Sequence, residues 1–299
     1  MKNDTLVHQI NMGIVQFILI LSLFSCANSD TKNITTEIAA TTEKNNIVEV
    51  QSIIDTSGTT LLTRFNVPNG FERVKINENS FGFYLRNFAL KSHSSKVYTY
   101  DGNLKYYQDG AAAILDIDIG DKDLQQCADA VMRLKAEYHY HRKEFDSIHF
   151  NFTNGFRVDF SKWIQGYRIG SNYKSWQKTA QPNSNYQTFK EYMNWVFMFA
   201  GSLSLSKELK PKTIENIMPG DVFILGGTPG HAVLVVDVAE NVETRERIFM
   251  IAQSYMPAQS IHVLKNLNNN AVSPWYSANF ENYLETPEWT FDKTQLKTF

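Results

Sequence analysis

Residues 218–238 have the sequence Met-Pro-Gly-Asp-Val-Phe-Ile-Leu-Gly-Gly-Thr-Pro-Gly-His-Ala-Val-Leu-Val-Val-Asp-Val. Two apolar runs, 221–225 and 232–238, flank a loop of glycine, threonine and proline, a pattern that predicts two consecutive strands. Similar apolar runs follow at 248–254 and 259–264. Because the links between these runs are short, we expect an antiparallel meander.

A helix is predicted ahead of this sheet, at about 123–142. Residues 111–119 predict a strand, in which Asp116 and Asp118 alternate with Leu115, Ile117 and Ile119, and Gly120 ends it. Asp121 or Asp123 then provides an N-cap. A helix packed on an antiparallel sheet makes the fold class α+β. The apolar positions of the helix recur at helical spacing, at Cys127, Val131, Leu134 and Tyr138.

The segment between this helix and the sheet, about 145–210, is rich in aromatic side chains. We predict a large helical insertion here, with a helix at 190–199. Aromatic side chains line grooves that hold sugars or peptides, but they also fill cores. Trp163 and Trp195 are therefore candidates for a substrate groove, and extra core is the alternative. The aromatic positions include Phe150, Phe152, Phe156, Trp163, Tyr167, Tyr173, Trp176, Tyr186, Tyr192 and Trp195.

The composition argues against nucleic-acid binding and indicates no cofactor. The 299 residues carry a formal net charge of −2, so the chain lacks the basic surface of a nucleic-acid binder. His139 and His141 point to different faces of a helix and do not form a zinc pair. The carboxylates of 116–123 lack the spacing of a calcium loop. We expect no metal and no cofactor, and the sequence leaves the oligomeric state open.

The N-terminus has the pattern of an export signal. Residues 12–24 form an apolar run, which is shorter than the roughly 20 residues of a membrane-spanning helix. The run ends in Leu-Phe-Ser-Cys26, which resembles a bacterial lipobox. We therefore predict a signal peptide at 1–26, lipid on Cys26, and a place in the cell envelope, anchored to a bacterial membrane that we expect to be the outer membrane. A plain signal peptide cleaved nearby is the alternative.

The composition changes again after the export signal. Residues 27–60 are polar and contain no Trp, Tyr or Phe. Such a segment buries little apolar surface, so it predicts a flexible tether. A single α+β domain is predicted over 61–299.

Cys127 is a candidate nucleophile. The chain has two cysteines, and if Cys26 carries lipid, Cys127 has no disulfide partner, which is unusual in an exported protein. The first turn of a helix lowers the pKa of a thiol. Gln125 and Gln126 lie where an amide could donate to an oxyanion, and Gln126 is our candidate. The alternative is a small apolar residue packed in the core.

His231 is a candidate base. It opens a strand and faces the loop 226–230, whose small side chains let a substrate backbone come close. Gly230 and Tyr255 therefore join the candidate groove. A solvated histidine at the end of a strand is the alternative.

Pro219-Gly-Asp221, the glycine-rich loop and His231-Ala-Val together resemble the histidine half of NlpC-like, papain-fold hydrolases. In those families a cysteine at the start of an earlier helix is the nucleophile, and a polar residue on the following strand orients the histidine. The resemblance implies a papain-like fold and a triad of Cys127, His231 and Gln253. Cys127 departs from the usual Asp-Cys-Ser or Asp-Cys-Thr context, and the segment between Cys127 and His231 is longer than in compact members.

A second resemblance covers more of the chain, about 61–290. Six short motifs carry it: Leu115-Asp-Ile-Asp118, Asp123-Leu-Gln-Gln-Cys-Ala-Asp-Ala-Val-Met-Arg-Leu134, Phe152-Thr-Asn-Gly155, His231-Ala-Val233, Gln253-Ser-Tyr-Met-Pro-Ala-Gln259 and Ser273-Pro-Trp-Tyr276. On these motifs the chain resembles an uncharacterised bacterial lipoprotein family, domain of unknown function 4846. That resemblance supplies no function.

Three functional hypotheses follow. The first is an envelope thiol hydrolase, an amidase or peptidase that cleaves an amide bond in cell-wall peptide or another envelope polymer. The second is a non-catalytic envelope lipoprotein that binds glycan or peptide on a papain-like scaffold. The third is a structural lipoprotein with Cys127 in its core. Because catalysis requires a reactive thiol, titration of Cys127 with an electrophile separates the first hypothesis from the others.

Overall fold

The computed structural model of the protein describes residues 52–299. The predicted signal peptide, the lipidation site at Cys26 and most of the predicted tether lie outside the described residues. Residues 52–60 bond to the segment that follows them, since the N–H of Asp55 donates to the carbonyl of Arg64 at 2.8 Å. Within 52–299, no helix is long and apolar enough to cross a membrane.

The described part of the chain contains six α-helices: α1 (Leu61–Arg64), α2 (Phe81–Arg86), α3 (Cys127–His141), α4 (Phe160–Trp163), α5 (Tyr186–Phe199) and α6 (Ser202–Glu208). It also contains fifteen strands: β1 (Phe71–Arg73), β2 (Ala111–Ile114), β3 (His149–Asn151), β4 (Arg157–Asp159), β5 (Tyr167–Ile169), β6 (Trp176–Lys178), β7 (Lys210–Pro211), β8 (Val222–Leu225), β9 (His231–Asn241), β10 (Arg247–Gln253), β11 (His262–Leu264), β12 (Tyr276–Ser277), β13 (Tyr283–Glu285), β14 (Thr290–Asp292) and β15 (Leu296–Thr298).

Nine of these strands form the main sheet, in the order β2-β11-β10-β9-β8-β15-β7, with β1 also paired to β9 and β12 to β10. Every pair in it is antiparallel. The predicted meander is confirmed, because β8, β9, β10 and β11 follow one another in the chain and lie side by side in the sheet. The fold is thus a mixture of helix and strand dominated by antiparallel sheet.

The central strand β9 is buried on both faces. Leu234 and Val236 belong to the apolar cluster that contains the buried side chains of α3. Val233 and Val235 alternate with them and belong to a second cluster, shared with the hairpin of β13 and β14. Burial on both faces explains why β9 is a nearly continuous apolar run instead of an alternating one. Helix α3 and the β13–β14 hairpin therefore cover opposite faces of β9.

Helix α3 begins later than predicted. Its N-cap is Gln126, not Asp121 or Asp123. The Asp123 carboxylate instead accepts the N–H of Ala258 at 2.6 Å and the side-chain amide of Gln126 at 3.0 Å. Because Asp123 bonds to another loop, the helix starts at Cys127 itself.

The insertion is less helical than predicted. It contains α4, α5 and α6, but also two small antiparallel hairpins, β3–β4 and β5–β6. Strands of three residues are too short to show a period in the sequence. A turn signal was nevertheless present, since Gly155 between β3 and β4 has φ +86°, a conformation that favours glycine.

A buried ion cluster fixes the far end of β9. The carboxylate of Asp237 is fully buried and lies 2.6 Å from Nε of Arg73 and 2.5 Å from Nε of Arg86. Arg73 belongs to β1 and Arg86 to α2. A buried carboxylate needs such partners, because an unpaired buried charge is strongly destabilising. Asp237 thus ties β9 to two elements that come early in the chain.

Candidate active site

Cys127 is the first residue of α3, and its thiol lies against the beginning of β9. The backbone N–H of Ala232 is among the groups that stabilise the thiolate, so it lies beside the sulfur. The side chain is nearly buried, with 9% of the residue exposed. The structure therefore places the Cys127 thiol next to Ala232, the residue that follows His231.

The segment ahead of Cys127 is anchored by the segment that follows β10. Oγ of Ser254 lies 2.9 Å from the carbonyl oxygen of Gln125 and 3.0 Å from that of Gln259. The N–H of Gln259 donates back to Ser254 Oγ at 3.2 Å. The motif 253–259 thus supplies Gln253 and also holds the approach to the cysteine.

His231 and Gln253 meet at the end of the main sheet. The β9–β10 pairing ends at Leu234 and Ala252, so the first residues of β9 extend past it. Nε2 of His231 lies 2.8 Å from Oε1 of Gln253, and both side chains lie on the sheet face covered by the β13–β14 hairpin. The predicted contact between base and orienting amide is present.

The amide of Gln253 selects one tautomer of His231. Nε2 of Gln253 donates to the Glu288 carboxylate at 2.7 Å. A carboxylate accepts but does not donate, so the NH₂ end of Gln253 faces Glu288 and its carbonyl faces His231. The hydrogen of the neutral imidazole is therefore on Nε2, and Nδ1 carries the free lone pair. Nδ1 is the ring nitrogen available as a base.

An aromatic enclosure surrounds His231, which is only 1% exposed. The ring centroid of His231 lies 4.8 Å from that of Tyr255, 5.2 Å from that of Trp289 and 5.7 Å from that of Phe291. These rings pack around the imidazole and leave little of its surface open to solvent. The enclosure brings a turn near the C-terminus into the site.

The thiol and the imidazole are both uncharged at neutral pH. Burial lowers the pKa of His231 to about 4. Burial, and after it the neighbouring Asp129, raises the pKa of Cys127 to about 11. The expectation that the helix terminus lowers the thiol pKa is not met, because loss of solvent outweighs the helix dipole here. Cys127 therefore rests as a thiol and His231 as a neutral imidazole.

The predicted oxyanion donor Gln126 is engaged elsewhere, since its amide nitrogen donates to Asp123 at 3.0 Å. Gln125 is buried, with its amide bonded to the carbonyl of Asp118 and its oxygen to Arg133. The backbone N–H of Cys127 lies in the first turn of α3, where N–H groups have no partner within the helix. That N–H is therefore a candidate oxyanion donor, which sequence reasoning missed.

The predicted groove residues fall into different surroundings. Tyr255 is half-buried against His231. Trp163 is 1% exposed and lies in the core of the insertion, and Trp195 is half-buried and stacks on Phe199. At Gly230 an added Cβ would lie 2.4 Å from Oγ of Ser202, so glycine permits close packing of the loop on α6.

A polar cavity of about 810 Å³ adjoins the segment that leads to Cys127. Leu124 and Gln125 line one side of it, and Gln187 and Asn194 of α5 line another. Its volume lies within the usual range of ligand-binding pockets. Across residues 52–299, no group of three or more His, Cys, Asp or Glu side chains is arranged to hold a metal ion.

Glu288 and Lys105 complete the polar chain behind His231, and sequence reasoning missed both. Nζ of Lys105 lies 2.5 Å from the Glu288 carboxylate. Each residue is far in sequence from Gln253, in a segment without a recognisable motif. No periodicity or spacing could have found them.

Comparison with known proteins identifies one family. The family model described as "Domain of unknown function (4846)" matches residues 61–298, which is most of the chain. No curated protein and no solved structure matches the chain significantly.

Proposed function

The chain belongs to the family described as domain of unknown function (4846), and we propose that it is a cysteine hydrolase that cleaves an amide bond. One observation carries the proposal. His231, oriented by Gln253 at 2.8 Å, opens the strand whose second residue lies beside the Cys127 thiol. A nucleophile, a base and an orienting amide in this order are the parts that thiol catalysis needs.

The proposed reaction begins with neutral groups. His231 Nδ1 takes the thiol proton as Cys127 sulfur bonds to the amide carbon, and the carbonyl oxygen becomes an oxyanion near the backbone N–H of Cys127. The imidazolium then gives its proton to the amine as the carbon–nitrogen bond breaks, leaving a thioester. His231 then takes a proton from water as the water oxygen bonds to the thioester carbon. The carbon–sulfur bond breaks, the imidazolium returns its proton to the sulfur, and the carboxylic acid product leaves. The enzyme returns to its starting state.

A papain-like, NlpC-type scaffold is part of this proposal. Helix α3 with Cys127 at its start packs on β9, and Gln253 ends the next strand. These features support the likeness drawn from the motifs.

For substrate we propose a cell-wall peptide or a related envelope polymer. The support is the polar cavity lined by Leu124 and Gln125, in the segment that leads to Cys127, and the lipobox-like segment that ends at Cys26. We accordingly propose that Cys26 is lipidated and that the domain works in the bacterial envelope, on the outer membrane. A polymer substrate fits an anchored enzyme because the substrate does not diffuse.

One observation favours a second candidate function. The Cys127 thiol is nearly buried and its pKa is raised to about 11, as expected of an inert structural cysteine. On this view the domain is a non-catalytic envelope lipoprotein that binds glycan or peptide.

The deciding experiment measures the thiol and the reaction together. We would treat the whole chain with iodoacetamide, locate the adduct by mass spectrometry, and assay release of peptides from purified cell wall. We expect an adduct at Cys127, and hydrolysis that is lost in Cys127→Ala and in His231→Ala. His93→Ala, which removes an exposed histidine outside the site, is the matched control. Hydrolysis that survives Cys127→Ala would exclude the proposed nucleophile, whereas an inert thiol without hydrolysis would favour the binding function.

A further inference from the structure

The geometry points to Glu288, held by Lys105, as a positioning residue that sets the tautomer of His231 through Gln253. The inference rests on the proposed function for its catalytic meaning. It names a part of the site that neither the motifs nor the family supplies. Its structural claim is that the Gln253 amide has one orientation, and this claim can be tested without any substrate.

Gln253 alone could hold its amide in either of two orientations. A glutamine amide has a donor end and an acceptor end of nearly equal shape, so rotation by half a turn exchanges them. If the NH₂ end faced His231, it would donate to Nε2 and drive the ring hydrogen onto Nδ1. Nδ1, the nitrogen that does not bond to Gln253, would then carry a hydrogen and could not accept the thiol proton.

Glu288 removes that ambiguity. Its Oε2 lies 2.7 Å from Nε2 of Gln253, and Gln253 is 1% exposed. In the reversed orientation, the amide oxygen would face a carboxylate oxygen with no hydrogen between them, in a place nearly free of water. That repulsion makes the observed orientation the stable one.

Lys105 and the turn between β13 and β14 hold Glu288 in place. Nζ of Lys105 lies 2.5 Å from the same carboxylate oxygen, with the two side chains 10% and 16% exposed. Glu288 also lies at the turn between β13 and β14, where Thr286 Oγ1 accepts the N–H of Trp289 at 3.1 Å. The next residue, Trp289, contributes a ring to the His231 enclosure. One turn therefore presents both the carboxylate and a wall of the site.

The experiment reads the tautomer directly. Proton–nitrogen correlation spectra of the whole chain labelled with ¹⁵N in histidine distinguish hydrogen on Nε2 from hydrogen on Nδ1. We expect His231 to carry hydrogen on Nε2 alone in the native chain, and a mixture of tautomers in Glu288→Ala. In the conservative Glu288→Gln, the amide oxygen replaces the carboxylate as acceptor, so the native tautomer should return. Glu285→Ala, in the same hairpin with its carboxylate on exposed Asn268, is the matched control and should leave the tautomer unchanged.

The catalytic consequence is a second readout. We expect Glu288→Ala to lower kcat about tenfold, as the loss of an orienting partner does, with KM unchanged.

A single Nε2 tautomer in Glu288→Ala overturns the inference, and so does a mixture in both Glu288→Ala and Glu288→Gln, since orientation would then need more than an acceptor. If Glu288→Ala fails to fold, Glu288→Met, which keeps the length but has no strong acceptor, takes its place. A tautomer change in a chain that hydrolyses nothing would uphold this inference while the proposed function fails, so the two failures are distinguishable.

Discussion

Oε1 of Gln253 and Nε2 of His231 lie 2.8 Å apart at the end of the main sheet, on side chains from adjacent antiparallel strands. The contact leaves Nδ1 of His231 as the free basic nitrogen. In the proposed reaction it also separates the roles of the two residues: His231 would move the proton, and Gln253 would carry no charge at any stage. The expected effects of substitution differ accordingly.

Loss of the base should reduce reaction far more than loss of the orienting amide. We expect His231→Ala to lower kcat/KM by about 10²–10⁴, the usual contribution of a general base. Gln253→Ala should lower it by about tenfold to a hundredfold, because the imidazole remains but loses its fixed tautomer. Kinetics on a cell-wall peptide with both variants measures the order. Equal losses in the two variants would contradict the separation of roles.

The rate at which Cys127 is alkylated should depend on pH differently from that of an ordinary thiol. Iodoacetamide reacts with the thiolate, and burial raises the pKa of Cys127 to about 11. We therefore expect the alkylation rate to keep rising beyond pH 9, where a free cysteine, with a pKa of about 8.5, has levelled off. Rates measured from pH 6 to 10.5, with free cysteine as reference, test this. A plateau below pH 8 would show a thiolate stabilised by the helix terminus instead.

Hydrolysis should persist to lower pH than a solvated histidine base would allow. The reaction needs neutral His231, whose pKa burial lowers to about 4. We expect kcat/KM to stay level as the pH falls from 7 to 5 and to decline only near pH 4. A profile that already halves at pH 6.5 would mean that His231 titrates as a solvated imidazole does.

The free energy of unfolding should also decrease as the pH falls below 6.5, because of His262. This histidine is fully buried and its pKa is lowered to about 3 by burial, whereas an unfolded histidine titrates near 6.5. Below pH 6.5 the unfolded chain binds a proton that the folded chain does not, so the free energy of unfolding decreases by about 1.4 kcal/mol per pH unit for this residue. His262→Gln keeps a donor for the carbonyl of Ser260 and should make that dependence shallower. Urea unfolding at pH 6.5 and 5.0 gives the comparison, and equal dependence in both chains would refute the assignment.

Asp237 should matter to stability and not to catalysis. Asp237→Asn leaves Arg73 and Arg86 without a counter-charge, and breaking a buried pair costs about 3–5 kcal/mol. Glu240→Gln, on the same strand but paired with Arg245 and Arg247 nearer the surface, should cost less than about 1 kcal/mol. Urea unfolding of both variants tests the difference. Similar costs for the two substitutions would mean that the Asp237 cluster is no more than a surface ion pair.

The sequence by itself determined the central strands of the main sheet and two members of the candidate site. The apolar runs at β8, β9 and β10 are long enough to show that each is a strand, and their short links require antiparallel neighbours. The position of His231 at the start of one strand and Gln253 at the end of the next follows from that meander. The helix after Gly120 followed from its apolar period, although its first residue did not, because Asp123 bonds to a distant loop.

Only the tertiary structure decided the surroundings on which the chemistry depends. The pKa of Cys127 is set by loss of solvent, which no local pattern records, and it moves opposite to the direction that the helix terminus alone predicts. Glu288 and Lys105 meet Gln253 because a hairpin near the C-terminus folds over the end of the sheet. The short hairpins of the insertion were likewise hidden, since three residues carry no period. Strands and helices follow from repeated local preferences, whereas burial and polar partners arise from segments that are distant in the chain and meet only in the fold.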